Sequence, residues 1–314
     1  MSLKQTINRY ELFDNKEFQL VAKVEAELLT GARKWLSEYG FTEIIVPRLV
    51  NATGSCEIID TLFKVPYFGK EAFLSQTGQL YLEAVVPFFG GKVWTFGPSF
   101  RAERRVDDRH LTEFSLLELE FEGDFEHLLE VIEKLLAGML RQISFIHVPE
   151  MRLPFKRLKY EDAISKLGLK FGFDLTSVDE QKLVAENNQQ PMFITHFPKD
   201  LKYFNMRVND DDDRVVNSAD LLLPYAGESA GAAEREFNPA KLQQRLHASA
   251  MWRQFVANGG DESAFDWYMN AYWKYPYKLH SGFGMGLNRV TKYVLQADDI
   301  RATTVYPTNA ETIY

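Results

Sequence analysis

Within one short stretch the chain places Arg101, Glu103, Arg109, His110, Leu111 and Phe114. A guanidinium forks onto phosphate oxygens, a carboxylate accepts from an exocyclic amine, and an aromatic ring stacks on a purine. Such groups together could hold a nucleoside triphosphate, or could form a surface charge network on a hairpin. Further on, Asp220 and Glu228 flank a strand end. Hard carboxylates of this kind suit Mg²⁺, which takes one or two protein carboxylates plus substrate phosphates. The alternative is two unrelated surface acids. Arg235 follows as a candidate clamp for a carboxylate or amide, or as a surface ion-pair residue. Gly282, Gly284 and Gly286 alternate before Arg289, so one strand face lacks side chains and a planar base can lie against backbone. No nucleophile stands out, since Cys56 has no base placed beside it and no Ser–His–Asp arrangement is visible. A site of this composition works by positioning and charge stabilisation.

The elements that must hold these residues read as α+β. Asp14 to Glu17 forms a capping box, and Val21, Val24, Leu28, Ala32, Trp35, Leu36 and Tyr39 then recur at helical spacing up to Gly40. Phe41–Val46 reads as a strand ended by Pro47. The stretch from Phe73 to Phe121 reads as strand, helix, strand, loop, strand. Its last part, Leu117–Glu122, alternates as a half-buried strand. Asp124 caps a helix carrying Leu128, Val131, Ile132, Leu135, Leu136 and Met139 on one stripe. A softer module spans about 150–190, with short helices over Arg157–Leu167 and Leu175–Asn187, and reads as a surface insertion. Strands are expected near Phe193 and over Asn205–Val208, and the run Asp210–Asp213 reads as a solvated turn in preference to a metal site. Pro239–Phe255 and Glu262–Trp273 read as amphipathic helices, the second with an aromatic stripe assigned to the core.

At 314 residues, with 46% hydrophobic and 25% charged residues, the chain has the composition of a globular enzyme. Its 36 basic and 44 acidic residues give a net charge of −8, which disfavours a protein whose main task is gripping a polyanion. The single cysteine excludes an internal disulfide and fits a reducing, cytoplasmic setting. No run approaches the ~20 apolar residues of a membrane span, and the N-terminus lacks the apolar core of a signal peptide.

Three stretches in order carry a resemblance. Phe100-Arg101-Ala102-Glu103 followed by Arg109-His110-Leu111-Thr112-Glu113-Phe114 resembles motif 2 of class II aminoacyl-tRNA synthetases, within about 92–122. Gly282–Arg289 resembles motif 3, within about 280–301. The helix, strand and proline of about 18–50 resemble motif 1. The run Ser75-Gln76-Thr77-Gly78-Gln79-Leu80-Tyr81-Leu82-Glu83 looks most like the asparaginyl type, and Asp220–Glu228 and Gly231–Glu236 are similar to further segments of it. The resemblance implies an antiparallel sheet flanked by helices in one catalytic domain. Motif 1 begins so early that no anticodon-binding domain is expected before it.

It also implies adenylate formation from ATP with Mg²⁺ held by Asp220 and Glu228, and a homodimer built on motif 1. Arg101 and Arg289 would be catalytic. ATP would be held by Arg101, Glu103, Arg109, His110, Leu111, Phe114, Glu228, Gly284, Gly286 and Arg289. The amino acid would be held by Glu57, Ser75, Gln76, Gln79, Glu83 and Arg235. Glu57 sits in a loop where the family carries two glycines and this chain carries Ile58 and Ile59, which departs from the family's loop closure.

The departures gather where tRNA would sit. Asp107 and Asp108 stand in the motif 2 loop, where aspartates facing a phosphate backbone would repel it, and Val305–Thr308 lacks a family arginine. With these departures the chain most resembles archaeal-type asparagine synthetase related to asparaginyl-tRNA synthetase, which implies an enzyme that activates aspartate as its adenylate and transfers it to ammonia, with tRNA not expected as a partner. Glu83 argues against this in part, because it suits an amide better than a second carboxylate. The alternatives are a stand-alone asparaginyl- or aspartyl-type ligase using another amine, thiol or RNA, and an inactive dimeric regulatory paralogue.

Overall fold

A computed structural model of the chain describes residues 9–51 and 59–313. Helix α1 (Lys16–Glu38) is capped by Asn15, whose side chain accepts from the amides of Glu17 and Phe18, so the cap lies one residue beyond the expected Asp14. The following strand is shorter than its β-branched run suggests: only β1 (Thr42–Glu43) and β2 (Leu49–Val50) pair. Next come β3 (Lys64–Tyr67), β4 (Lys70–Leu74), α2 (Gln79–Val85), β5 (Lys92–Phe100), β6 (Glu113–Glu122) and α3 (Phe125–Arg141). The 150–190 module forms β7 (Lys156–Lys159), α4 (Tyr160–Leu167) and α5 (Ser177–Glu186), so the start of its expected first helix is a strand. The rest is β8 (Met192–Thr195), β9 (Ser218–Leu223), β10 (Gly227–Glu234), α6 (Pro239–Ala248), α7 (Ala250–Ala257), α8 (Asp266–Lys274), β11 (His280–Gly286) and α9 (Leu287–Leu295). Ser249 breaks the expected helix 239–255 by capping α7 through its hydroxyl.

The main sheet has the order β1-β5-β6-β11-β10-β9-β8-β7. Its centre, from β5 to β8, is antiparallel as expected, but β1 on β5 and β7 on β8 run parallel, so the whole is a mixed sheet. β2, β4 and β3 form a small second sheet.

Period-two alternation in β6 sorts its faces. Leu117, Leu119 and Phe121 enter the core with α1, α3 and α9. The opposite face, carrying Glu118 and Glu120, is only 2% and 1% exposed, so what reads as a half-buried strand is buried on both sides. The α1–α3 contact is close because Gly31 stands against the Met139 backbone and Gly138 against Trp35. On the acidic run, Asp212 pairs with Arg214 and Asp210 with Arg207, a turn closed by Asn209. Among the described residues no helix is long and apolar enough to cross a membrane.

Candidate active site

The β5–β6 hairpin, the start of β10 and the β11–α9 junction enclose a cavity of about 260 Å³. Arg101, Glu103, Arg109, His110, Leu111, Phe114, Glu228, Gly284, Gly286, Arg289 and Gln79 all line it, as do Glu118 and Glu120. Residues far apart in sequence therefore meet at one place, which a surface charge network on a hairpin does not require.

The floor is backbone. Gly231 on β10 faces Gly284 on β11 in register. A Cβ added to Gly284 would meet only Glu118, at 3.7 Å, so the space above this pair is left to a ligand. Gly282 differs from the other two. A Cβ there would stand 2.0 Å from Glu120 Oε1, so its bare face is covered by a carboxylate and is not open to a base.

The Arg101 guanidinium lies 5.6 Å from the Phe114 ring centroid, a cation–π contact at the cavity wall. Arg289 donates from Nη1 to the Ala226 carbonyl at 2.5 Å and from Nη2 to the Arg109 carbonyl at 2.8 Å, which fixes its plane. Burial lowers the Arg289 pKa and the neighbouring Arg109 charge adds to the effect. His110 Nδ1 contacts both oxygens of Asp107 at 2.9 Å, and Asp107 Oδ1 also accepts the amides of Arg109 and His110. Partial burial opposes these bonds, yet they hold Asp107 below the usual carboxylate range. Asp107 therefore turns into its own loop and does not face outward. The exposed residues here are Arg104, Arg105, Asp108 and His110, and Arg105 lies 3.3 Å from Asp107.

At the inner end sits a buried network. Arg235 forks onto Glu120 through Nε and Nη2, the latter at 2.6 Å, and lies 3.7 Å from Glu83. Burial pushes the Glu120 carboxyl up to about 8 against the pull of Arg235. Glu83 is fully buried behind Gln79. It accepts from Gln79 Nε2 (2.8 Å), Asn205 Nδ2 (2.5 Å), Tyr268 (2.6 Å) and Tyr272 (3.2 Å). Neither Glu83 nor Arg235 lines the cavity, and both back the residues that do. Glu118 accepts the Gly78 amide and the Thr77 hydroxyl and lies 3.8 Å from Arg48. Ser75 and Gln76 are also buried away from the cavity, with Gln76 Nε2 donating to Thr61 at 3.0 Å. Glu57 and Cys56 lie outside the described residues.

The two expected metal ligands part company. Glu228 lines the cavity, whereas Asp220 is 8% exposed and both of its oxygens accept from Lys202 Nζ at 2.7 Å. Among the described residues no group of three or more His, Cys, Asp or Glu side chains could hold a metal ion. The donor set fits an ion that arrives with phosphate oxygens and takes Glu228 from the protein; Asp220 is already neutralised.

Sequence reading missed Glu118, Glu120, Lys202, and the two tyrosines that hold Glu83. The period-two run of glutamates opposite a glycine-rich strand was the available signal for the first two. The aromatic stripe of residues 262–273 is core only in part, since the Tyr268 and Tyr272 hydroxyls serve the site.

Residues 3–310 match the family described as tRNA synthetases class II (D, K and N). Asparagine–tRNA ligase of Thermococcus gammatolerans is 37% identical over 94% of this chain and 70% of its own length. That of Desulforamulus reducens is 32% identical over 94% and 70%. The asparaginyl-tRNA synthetase of Pyrococcus horikoshii complexed with asparaginyl-adenylate superposes with a TM-score of 0.87 at 34% identity, covering 98% of this chain and 72% of that one. The corresponding enzyme of Entamoeba histolytica, also with asparaginyl-adenylate, gives 0.85 at 30% identity, covering 98% and 71%. On sequence, fold and site arrangement together, this chain belongs to the class II tRNA synthetases of the D, K and N group, and within them to the asparaginyl type.

Proposed function

We propose that the protein activates asparagine with ATP, releasing pyrophosphate, and transfers the asparaginyl group to the 3′ end of an RNA. The observation that carries the reading is the charge of the inner end. Glu83, Glu118 and Glu120 converge there on Arg48 and Arg235, and Arg235 is already forked onto Glu120. A second carboxylate, that of aspartate, would enter beside Glu83 and Glu118, where the Arg235 guanidinium is already forked onto Glu120 and Arg48 lies 3.8 Å from Glu118. A neutral amide meets no such repulsion, and its NH₂ can donate to a carboxylate. This weighs against the aspartate-and-ammonia reaction that the loop aspartates suggested. The repulsion argument against RNA also weakens, because Asp107 is turned inward and the exposed Asp108 is outnumbered by Arg104 and Arg105, which face solvent. The relatives' names favour the same acceptor.

In the first step an oxygen of the asparagine α-carboxylate bonds to the α-phosphorus as the bond to the bridging oxygen of pyrophosphate breaks. Arg101, at the cavity wall, stabilises the charge that builds on the α-phosphate. Phe114 and Arg289 hold the adenine over the Gly231–Gly284 floor, Glu103 accepts from its amine, and Arg109 and His110 face the distal phosphates. Gln79, whose Nε2 is committed to Glu83, keeps its Oε1 for a substrate ammonium or amide donor. Bound Mg²⁺, held by Glu228, would neutralise the departing pyrophosphate. In the second step an acceptor hydroxyl attacks the acyl carbon and AMP leaves. We place the enzyme in the cytoplasm, which its single cysteine fits, and as a homodimer, since Tyr39, Ile45 and Leu49 after α1 are 47%, 97% and 42% exposed.

The test is to incubate the protein with Mg-ATP, labelled asparagine, labelled aspartate, ammonium and total tRNA. Label from asparagine on RNA supports the reading. Free asparagine formed from aspartate with AMP would replace it by the synthetase reaction.

A further inference from the structure

One carboxylate of the 150–190 module stands directly behind a residue that lines the nucleotide cavity. Glu180, on α5, is 7% exposed. Its Oε2 accepts from Arg109 Nη2 at 2.9 Å and from the Glu228 amide at 3.1 Å. A single oxygen thus joins α5, the β5–β6 loop and the start of β10. Gly227 makes the approach possible: its φ is +69°, and a Cβ there would stand 2.5 Å from that same oxygen. Arg109 meanwhile has a second face. Its Nε is buried and finds no acceptor among the described residues, although the side chain lines the cavity. A buried guanidinium N–H without a partner is costly unless a ligand supplies one. Arg109 also adjoins Arg289, whose like charge repels its own, and Glu180 is a buried counter-charge beside the pair.

We propose that Glu180 is a positioning residue for the triphosphate. It holds Arg109 by one terminal nitrogen and leaves another N–H for a phosphate oxygen, without itself touching the nucleotide. The proposal deepens the reading of this cavity as an ATP site and rests on it.

The experiment measures Mg-ATP binding by calorimetry, and asparagine-dependent ATP–pyrophosphate exchange, in wild type, E180A, E180Q, R109A and E180A/R109A. Both Glu180 variants should weaken Mg-ATP binding and raise KM for ATP by about 10-fold, the scale of one charge-assisted hydrogen bond. They should leave kcat at saturating ATP within about threefold and KM for asparagine unchanged. The double variant should bind no more weakly than R109A, because the two residues act as a unit. E180Q keeps the size of the side chain and carries the test if E180A misfolds. Wild-type affinity in both variants overturns the proposal alone, as does a drop in kcat together with a rise in both KM values. A wild type that binds no Mg-ATP overturns the reading of the cavity and this proposal with it.

Discussion

Gly282 and Glu120 share one space, and that substitution offers the sharpest residue-level check. Gly282→Ala would put a methyl group 2.0 Å from the Glu120 carboxylate, displace it, and free Arg235 from its fork. Asparagine-dependent exchange should fall by about 100-fold, near 2.7 kcal/mol, with the far-UV circular dichroism unchanged. Arg101→Ala should cost on the order of 10²–10³ in kcat for adenylation, since it removes a charge aimed at the reacting phosphate. A loss confined to KM would mean that Arg101 only binds. The types of these residues are legible in the sequence, because arginines, a glutamate and a phenylalanine in one loop carry their chemistry locally. Their partners are not. Glu83 meets Tyr268 across 185 residues, and Arg109 meets Glu180 across 71, so no local spacing announces either pair. Asp107 looked outward in the sequence only because its inward bonds to His110 and two amides are set by the loop's conformation.

At the scale of elements, α1 and α3 meet through glycines. A Cβ on Gly31 would lie 2.8 Å from Met139 Cα, a backbone atom that cannot swing aside. Gly31→Ala should therefore destabilise the fold by about 1–3 kcal/mol, read as a lower midpoint in denaturant with an unchanged slope. A neutral result would show that the helices separate freely. The surface after α1 carries the second element-scale prediction. Native mass measurement should find twice the 36.3 kDa chain mass, and Ile45→Asp should shift the population toward monomer. Long periodic elements such as α1, α3 and β6 were readable because one apolar face is needed over many residues. The short pieces were not: β1 keeps two residues of a longer β-branched run because its pairing with β5 ends at the bond from the Ile44 amide to the Trp94 carbonyl. Nothing in a local pattern says where partners end.

For the whole molecule, a half-buried acid makes stability depend on pH. Burial raises the Glu25 carboxyl from 4.5 to about 7. Between these values the folded chain retains a proton that the unfolded chain has released, so stability falls as pH rises through the window. Glu25→Gln should remove that contribution, on the order of 1–3 kcal/mol. It would raise Tm relative to wild type at pH 8 and change it little at pH 4.5. Equal Tm differences at both values would contradict the assignment. The central claim concerns which amino acid enters the cavity, and it is tested most directly by ATP–pyrophosphate exchange with asparagine and aspartate side by side. The acidic inner end predicts exchange with asparagine and at least about 100-fold less with aspartate. Equal or greater exchange with aspartate would contradict the account and return the ammonia-dependent synthetase reaction to first place.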